Sequence, residues 1–163
     1  MKQQKLITSI SIFDSANELE NSVNILLRAA HAQLVNSYSP YSRYRVAASV
    51  LMENGEIVTG TNQENMAYPS GLCAERVAVF AAGSRFPRMK MKALAIVATH
   101  ADHDSNTPSA SCGACRQSML EYEMNQGENI QIIMQGKTGP VWIAESVGSL
   151  LPLFFNESGL KKE

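Results

Sequence analysis

Two short segments hold the side chains with the most chemistry in this sequence. Cys73-Ala74-Glu75-Arg76 and Ser111-Cys112-Gly113-Ala114-Cys115-Arg116-Gln117 contain all 3 cysteines, and a carboxylate stands two residues after the first of them. Cys112 and Cys115 lie three residues apart. On the first turn of a helix both sulfurs reach one ion, and Cys73 supplies a third ligand from a second helix tip. Free amides at a helix start and the macrodipole favour thiolates there. Structural zinc takes four protein ligands, whereas catalytic zinc takes three and keeps a position for water. A Cys-x-x-Cys by itself fits a redox dithiol as well, and isolated cysteines are often small buried hydrophobes. Glu75 is what separates these readings. Hydrolytic removal of an amino group needs a nucleophilic water, a proton for a ring nitrogen and then a proton for the departing ammonia. One carboxylate beside the activated water can serve both transfers.

These side chains need elements to position them. Between Ala16 and Val35, apolar residues recur at three- and four-residue steps, the period of a helix with one buried face. Ser37-Tyr38-Ser39-Pro40-Tyr41-Ser42 is turn-rich, because Pro40 lacks an amide and disfavours helical geometry at Ser39. Val46 to Met52 and Ile57 to Thr61 flank Glu53-Asn54-Gly55, a hairpin signal. Leu72 to Ser84 reads as an Ala-rich buried helix ending near Gly83, and Ala93 to Thr99 as a central strand. His100 to Ser111 is a polar loop. Gly113 to Met124 reads as a helix, Ile130 to Met134 and Val141 to Ala144 as strands, and Val147 to Phe155 as an apolar tail. These elements predict an α/β sandwich around a mixed sheet of five strands. One domain is expected over 1–163, with its core over about 16–155.

Composition narrows the function classes. The net charge is -1 across 163 residues, without the broad cationic excess that a polynucleotide partner needs, so a small substrate and no nucleic acid are expected. No run of about 18 apolar residues exists to span a bilayer. Met1 to Ile12 lacks the apolar core and cleavage site of a signal peptide. An odd number of cysteines fits a disulfide framework poorly and points to the reduced cytoplasm.

With a non-ligand Glu beside a three-ligand zinc and a downstream Cys-x-x-Cys, the chain resembles the small homo-oligomeric cytidine deaminases. The resemblance runs from about Ser37 through Phe155. It covers Tyr38-Ser39-Pro40-Tyr41-Ser42-Arg43-Tyr44, the strand end Asn62-Gln63-Glu64-Asn65 and both cysteine segments. It implies a three-layer sandwich in which Cys73, Cys112 and Cys115 hold one zinc per chain and Glu75 is the proton shuttle. It also implies that Asn62 and Glu64 bind the ribose 3′-hydroxyl and that the Ala74 amide meets the pyrimidine O2. An Asn-x-Glu pair on a strand puts both side chains on one face, offering a donor and an acceptor. Tyr44 stands where the family commonly has Phe and is a secondary base contact. Three thiolates around a divalent zinc sum to a negative centre, for which Arg76 is the candidate compensating cation, and the resemblance implies that it hydrogen-bonds the sulfurs and withdraws charge. Arg116 and Gln117 receive no role. Tyr68 and Phe155 match residues that reach a neighbouring subunit's site, so a homotetramer is implied.

Several positions depart from the family pattern. Ser111 replaces the Pro that usually precedes the cysteine, removing a rigid ring beside Ala110. Ala47 replaces Gly, and Met66 replaces a small residue where it would narrow the sugar side. His31, His100 and His103 are not at metal spacing from the cysteines, and Met89 and Met91 read as packing residues. The expected reaction is deamination of cytidine or deoxycytidine in pyrimidine salvage. The alternatives are a related deaminase acting on another aminated nucleoside or base, such as a nucleoside antibiotic, and a non-enzymatic zinc or redox dithiol protein.

Overall fold

Six strands form one mixed sheet in the order β1-β6-β5-β4-β2-β3. The strands are β1 (Ser11–Phe13), β2 (Tyr44–Met52), β3 (Ile57–Thr61), β4 (Met91–His100), β5 (Gln131–Gln135) and β6 (Val141–Ala144); the helices are α1 (Asn21–Gln33), α2 (Ala74–Arg85), α3 (Gly113–Gln126) and α4 (Val147–Leu150). The structure is a computed structural model that describes residues 1–156; the last part of the expected domain, 157–163, lies outside the described residues. Only β4 and β5 run parallel, joined by the crossover through α3, and every other pair is antiparallel. No helix among the described residues is long and apolar enough to cross a membrane.

The sheet separates two apolar clusters, which makes three layers. On one face α1 contributes Leu26, Leu27 and Ala30 against Ala95, Val97 and Ile133. On the other, Ala78 and Val79 of α2 and Met119 of α3 pack on Val50, Leu94 and Ile96. β4 is therefore buried on both sides, which is why it reads as a continuous apolar run rather than an alternation. Glu123 of α3, itself buried, ties the last elements to this core. Its carboxylate accepts the amides of Ile130 at 2.8 Å, Val147 at 2.8 Å and Gly148 at 2.9 Å.

Four expectations need correction. The sheet has six strands, not five, because Ser11–Phe13 pairs antiparallel with β6 along an edge. The first helix begins at Asn21 rather than Ala16. Ser15 and Glu18 close a capping box around a separate 3-10 turn, Ala16–Glu18, and Leu19 then leaves helical geometry. Its far end is likewise a 3-10 turn, Leu34–Asn36. The helix that was to stop near Gly83 continues to Arg85. A Cβ at Gly83 would lie 2.9 Å from the Tyr122 ring, so this glycine admits α3 against α2 instead of capping α2.

Candidate active site

The topology gathers the chemistry at one end of the sheet. β2 runs antiparallel to both β3 and β4, with Tyr44 opposite His100 and Ala47 opposite Thr61. The start of β2 thus meets the ends of β3 and β4, and from those two ends the chain leads into α2 and α3. The approach of α2 is close. A Cβ at Gly60 would fall 2.4 Å from the Ala78 amide nitrogen and 2.9 Å from the Ala74 carbonyl, so the first turn of α2 lies directly on β3.

Cys73 and Cys112 are the N-cap residues of α2 and α3. Both have extended backbone, and neither uses its side chain as a cap. The sulfurs are therefore free for another partner. With Cys115, buried in the first turn of α3, the three ligand atoms lie within 4.8 Å of one another, the one such group among the described residues. All three cysteines are unpaired. Three thiols converging from two helix starts, with no fourth donor grouped with them among the described residues, suit a zinc centre that keeps one position open.

The charges around this cluster are arranged for an ion. The Cys115 thiol hydrogen-bonds the Cys73 sulfur and holds Cys73 well below an ordinary thiol against the cost of its burial, with Arg76 helping. Cys115 is correspondingly pushed up by that same contact and by burial. The guanidinium of Arg76 faces Cys73 and Cys115, and these sulfurs raise its pKa despite partial burial. Its Nε is buried without a hydrogen-bond partner. Glu75, 4% exposed, is pushed up chiefly by burial and further by the charge on Cys73; its own amide, the Cys115 thiol and the Ser111 hydroxyl oppose the shift. Ser111 Oγ is buried and completes no hydrogen bond of ordinary geometry, so it acts on Glu75 only as a nearby dipole.

A cavity of about 640 Å³ opens beside the cluster, lined by Cys73, Glu75, Arg76 and Cys112 at one end and by Asn62 and Glu64 at the other. At the second end the protein satisfies itself. Asn62 Oδ1 accepts from Ser37 Oγ at 2.5 Å and the Val46 amide at 2.9 Å, while its Nδ2 donates to the Tyr44 carbonyl at 2.8 Å. Glu64 accepts the amides of Tyr41 at 2.8 Å and Ser42 at 3.2 Å, and the Ser42 hydroxyl as well. Against desolvation, the largest single influence on it, these bonds together hold its carboxyl below the ordinary value. An amide nitrogen carries two donors and a carboxylate about four acceptor sites. One donor on Asn62 and one acceptor site on Glu64 therefore remain.

Of the other residues singled out from the sequence, Tyr44 and Tyr68 line the cavity, Tyr68 as a rim residue 91% exposed. Ala74 is fully buried and outside the lining. Phe155 is also outside it, exposed, with its backbone exchanging hydrogen bonds with Gln117 at 2.9 and 3.3 Å. Met66 is 87% exposed and outside the lining, so it does not narrow this chain's cavity. Arg116 donates to the Leu150 carbonyl at 2.8 Å, a bracing contact between α3 and α4. His31 meets Gln135 at 2.9 Å, and the His100 and His103 rings stack at 4.4 Å. Three residues escaped sequence reasoning: Ser37 and Ser42, which hold Asn62 and Glu64, and Ser109, which bonds the Tyr44 hydroxyl. No local pattern marks them, because each partner lies 22 or more residues away.

Comparison with known proteins agrees with this geometry. Residues 21–127 match the family model of the cytidine and deoxycytidylate deaminase zinc-binding region. A cytidine deaminase of Mycobacterium tuberculosis is 33% identical over 140 residues, covering 86% of this chain and 94% of the relative. One from Halalkalibacterium halodurans is 41% identical over 97 residues, covering 60% and 69%. Among solved structures, the cytidine deaminase from Burkholderia pseudomallei superposes with a TM-score of 0.71 at 34% identity, covering 81% of this chain and 98% of that one. The M. tuberculosis enzyme gives 0.65 at 31% identity, covering 84% and 99%.

Proposed function

The chain belongs to the cytidine and deoxycytidylate deaminase family, and on that premise we propose that it hydrolyses cytidine or deoxycytidine to the uracil nucleoside and ammonia. The observation that carries this reading is the pairing, across one cavity, of a three-thiol cluster beside a buried Glu75 with a spare donor and acceptor on Asn62 and Glu64. A cavity of about 640 Å³ is of small-molecule size. A sugar hydroxyl both donates and accepts, which is what Asn62 and Glu64 have left to satisfy.

Cys73, Cys112 and Cys115 would hold the zinc. When bound, zinc supplies the Lewis acidity that makes water a nucleophile near neutral pH. Glu75 takes a proton from the attacking water and places it on N3 of the pyrimidine as the C4–O bond forms. The tetrahedral carbon then gives up its hydroxyl proton, again through Glu75, to the amino nitrogen, and C4–N cleavage releases ammonia. Burial suits Glu75 to this work, since desolvation raises its pKa and makes the carboxylate a better base toward the attacking water than a carboxylate in free solution. Arg76 drains charge from the thiolates. Asn62 and Glu64 fix the sugar, the Ala74 amide is assigned to the pyrimidine O2, and Tyr44 packs against the base.

Around this site the reading extends to a single-domain homotetramer with shared active sites, acting in cytoplasmic pyrimidine salvage. Exposed Tyr68 on the cavity rim and exposed Phe155 support contact with a second copy. Unpaired cysteines support a reducing compartment. The test is direct. Purified protein is assayed for zinc per chain and for ammonia release from cytidine, deoxycytidine and other aminated nucleosides. One zinc with turnover of the cytosine nucleosides is the expected result; a zinc-loaded protein inert toward both refutes the substrate assignment.

A further inference from the structure

The chain between β4 and α3 has no regular structure from Ala101 to Ser111, and this segment delivers Cys112. Its first half is well tethered. The Ala101 amide donates to the Arg43 carbonyl at 2.8 Å, Asp104 pairs with Lys137 at 2.7 Å, and Asn106 accepts from Thr138 at 2.8 Å. Its second half, Pro108 to Ser111, is the part that borders the cavity through Ser109 and Ala110. There the bond to the sheet is the one between Tyr44 Oη and Ser109 Oγ.

Tyr44 is itself held at both ends. It begins β2 opposite His100, and its carbonyl accepts from Asn62, whose other amide atom bonds the Val46 nitrogen. A continuous path of bonds therefore runs from the sugar-side Asn62 through Tyr44 to Ser109, three residues before Cys112. A phenylalanine at position 44 would fill the same wall without reaching Ser109.

We infer that the Tyr44–Ser109 hydrogen bond is a latch that sets the position of the Pro108–Ser111 segment over the cavity and couples the sugar-binding strand end to the cysteine-bearing start of α3. Tyr44 and Ser109 are positioning residues here, acting through the backbone of Ala110 and the placement of Cys112. The catalytic consequence rests on the deaminase reading above; the latch itself does not.

The test uses zinc-loaded full-length protein as wild type, Tyr44→Phe, Ser109→Ala, the double variant and Ser109→Thr. Amide hydrogen exchange is read first at the segment that starts α3, where the Arg116 amide donates to the Cys112 carbonyl at 3.0 Å. Each single substitution is expected to speed exchange about 3- to 10-fold, the net worth of one hydrogen bond. The double variant should be no faster than either single, and Ser109→Thr should match wild type. Kinetics on cytidine are read next. kcat is expected to fall about 3- to 10-fold in both singles with KM within about twofold, because the latch serves the reacting end and the ring of residue 44 is kept. Unchanged exchange in either single, additive effects in the double, or a wild-type segment exchanging at the unprotected rate would overturn the latch. A wild type with a protected segment and the expected exchange pattern but no turnover of cytidine would uphold the latch and contradict the substrate reading.

Discussion

The two ends of the cavity are built on opposite principles. At the end proposed to take the sugar, Asn62 and Glu64 share six hydrogen bonds with Ser37, Tyr41, Ser42, Tyr44 and Val46 before any ligand arrives, five accepted and one donated by Asn62 to the Tyr44 carbonyl. At the cysteine end the polar groups are left wanting. Arg76 Nε and Ser111 Oγ are buried without partners, three sulfurs crowd together, and Glu75 is buried where its charge is disfavoured. An unsatisfied buried polar atom costs about 1–3 kcal/mol, so an end that carries several is tolerated only if something else completes it. The Asn62 end is completed by the protein itself; the cysteine end is not.

That contrast can be broken most severely at the sulfurs. Cys115→Ser should abolish zinc retention and lower deamination at least about 10³-fold, since water is then no longer activated, while the hydrogen bonds around Asn62 and Glu64 persist. Metal analysis and amide exchange of the 37–46 segment check both halves of this expectation. Asn62→Ala attacks the other end. It strips the Val46 amide and the Tyr44 carbonyl of their partner, and should cost about 2–3 kcal/mol in a denaturant titration without lowering zinc content. Glu64→Gln is milder, with KM for cytidine expected to rise about tenfold and kcat to stay within about twofold, the sign of lost binding without lost chemistry.

The smallest effect is a matter of pH. The Glu64 carboxyl is held below its ordinary value of 4.5, so its ionised form stabilises the fold above that value, and the contribution is lost as pH falls through the lowered folded-state pKa. The difference in melting temperature between wild type and Glu64→Gln should therefore be largest near neutral pH and shrink as the buffer is taken well into the acid range. A difference that grows on acidification would contradict the bonding described for the sugar end.

The two ends also differed in how far the sequence disclosed them. Cys73, Cys112 and Cys115 announce themselves because metal ligands are a small set of residue types at helix-turn spacing, Glu75 stands out as a carboxylate two residues after the first of them, and the helices that carry them are marked by composition and by the polar loops before them. The Asn54-Gly55 turn likewise fixed the hairpin, whose β3 ends at Thr61 as expected. The support of Asn62 and Glu64 was illegible. Ser37 and Ser42 are ordinary turn residues until the fold brings them across 22 or more positions. β1 was missed for a related reason: a three-residue edge strand has too few positions to show a period, and its partner β6 is distant in sequence. Gly83 shows the same limit from the other side. Local chemistry suggests a helix end, and only the ring of Tyr122 explains why the helix passes through it.

The central claim is that Glu75 moves the protons while the cysteines hold the metal. Glu75→Gln in purified protein, assayed together for zinc per chain and for cytidine turnover, separates these roles. The account predicts wild-type zinc content and a kcat lower by about 10³-fold, within the range for loss of a general acid–base. A variant that keeps its zinc and still deaminates cytidine at a rate near wild type would contradict it.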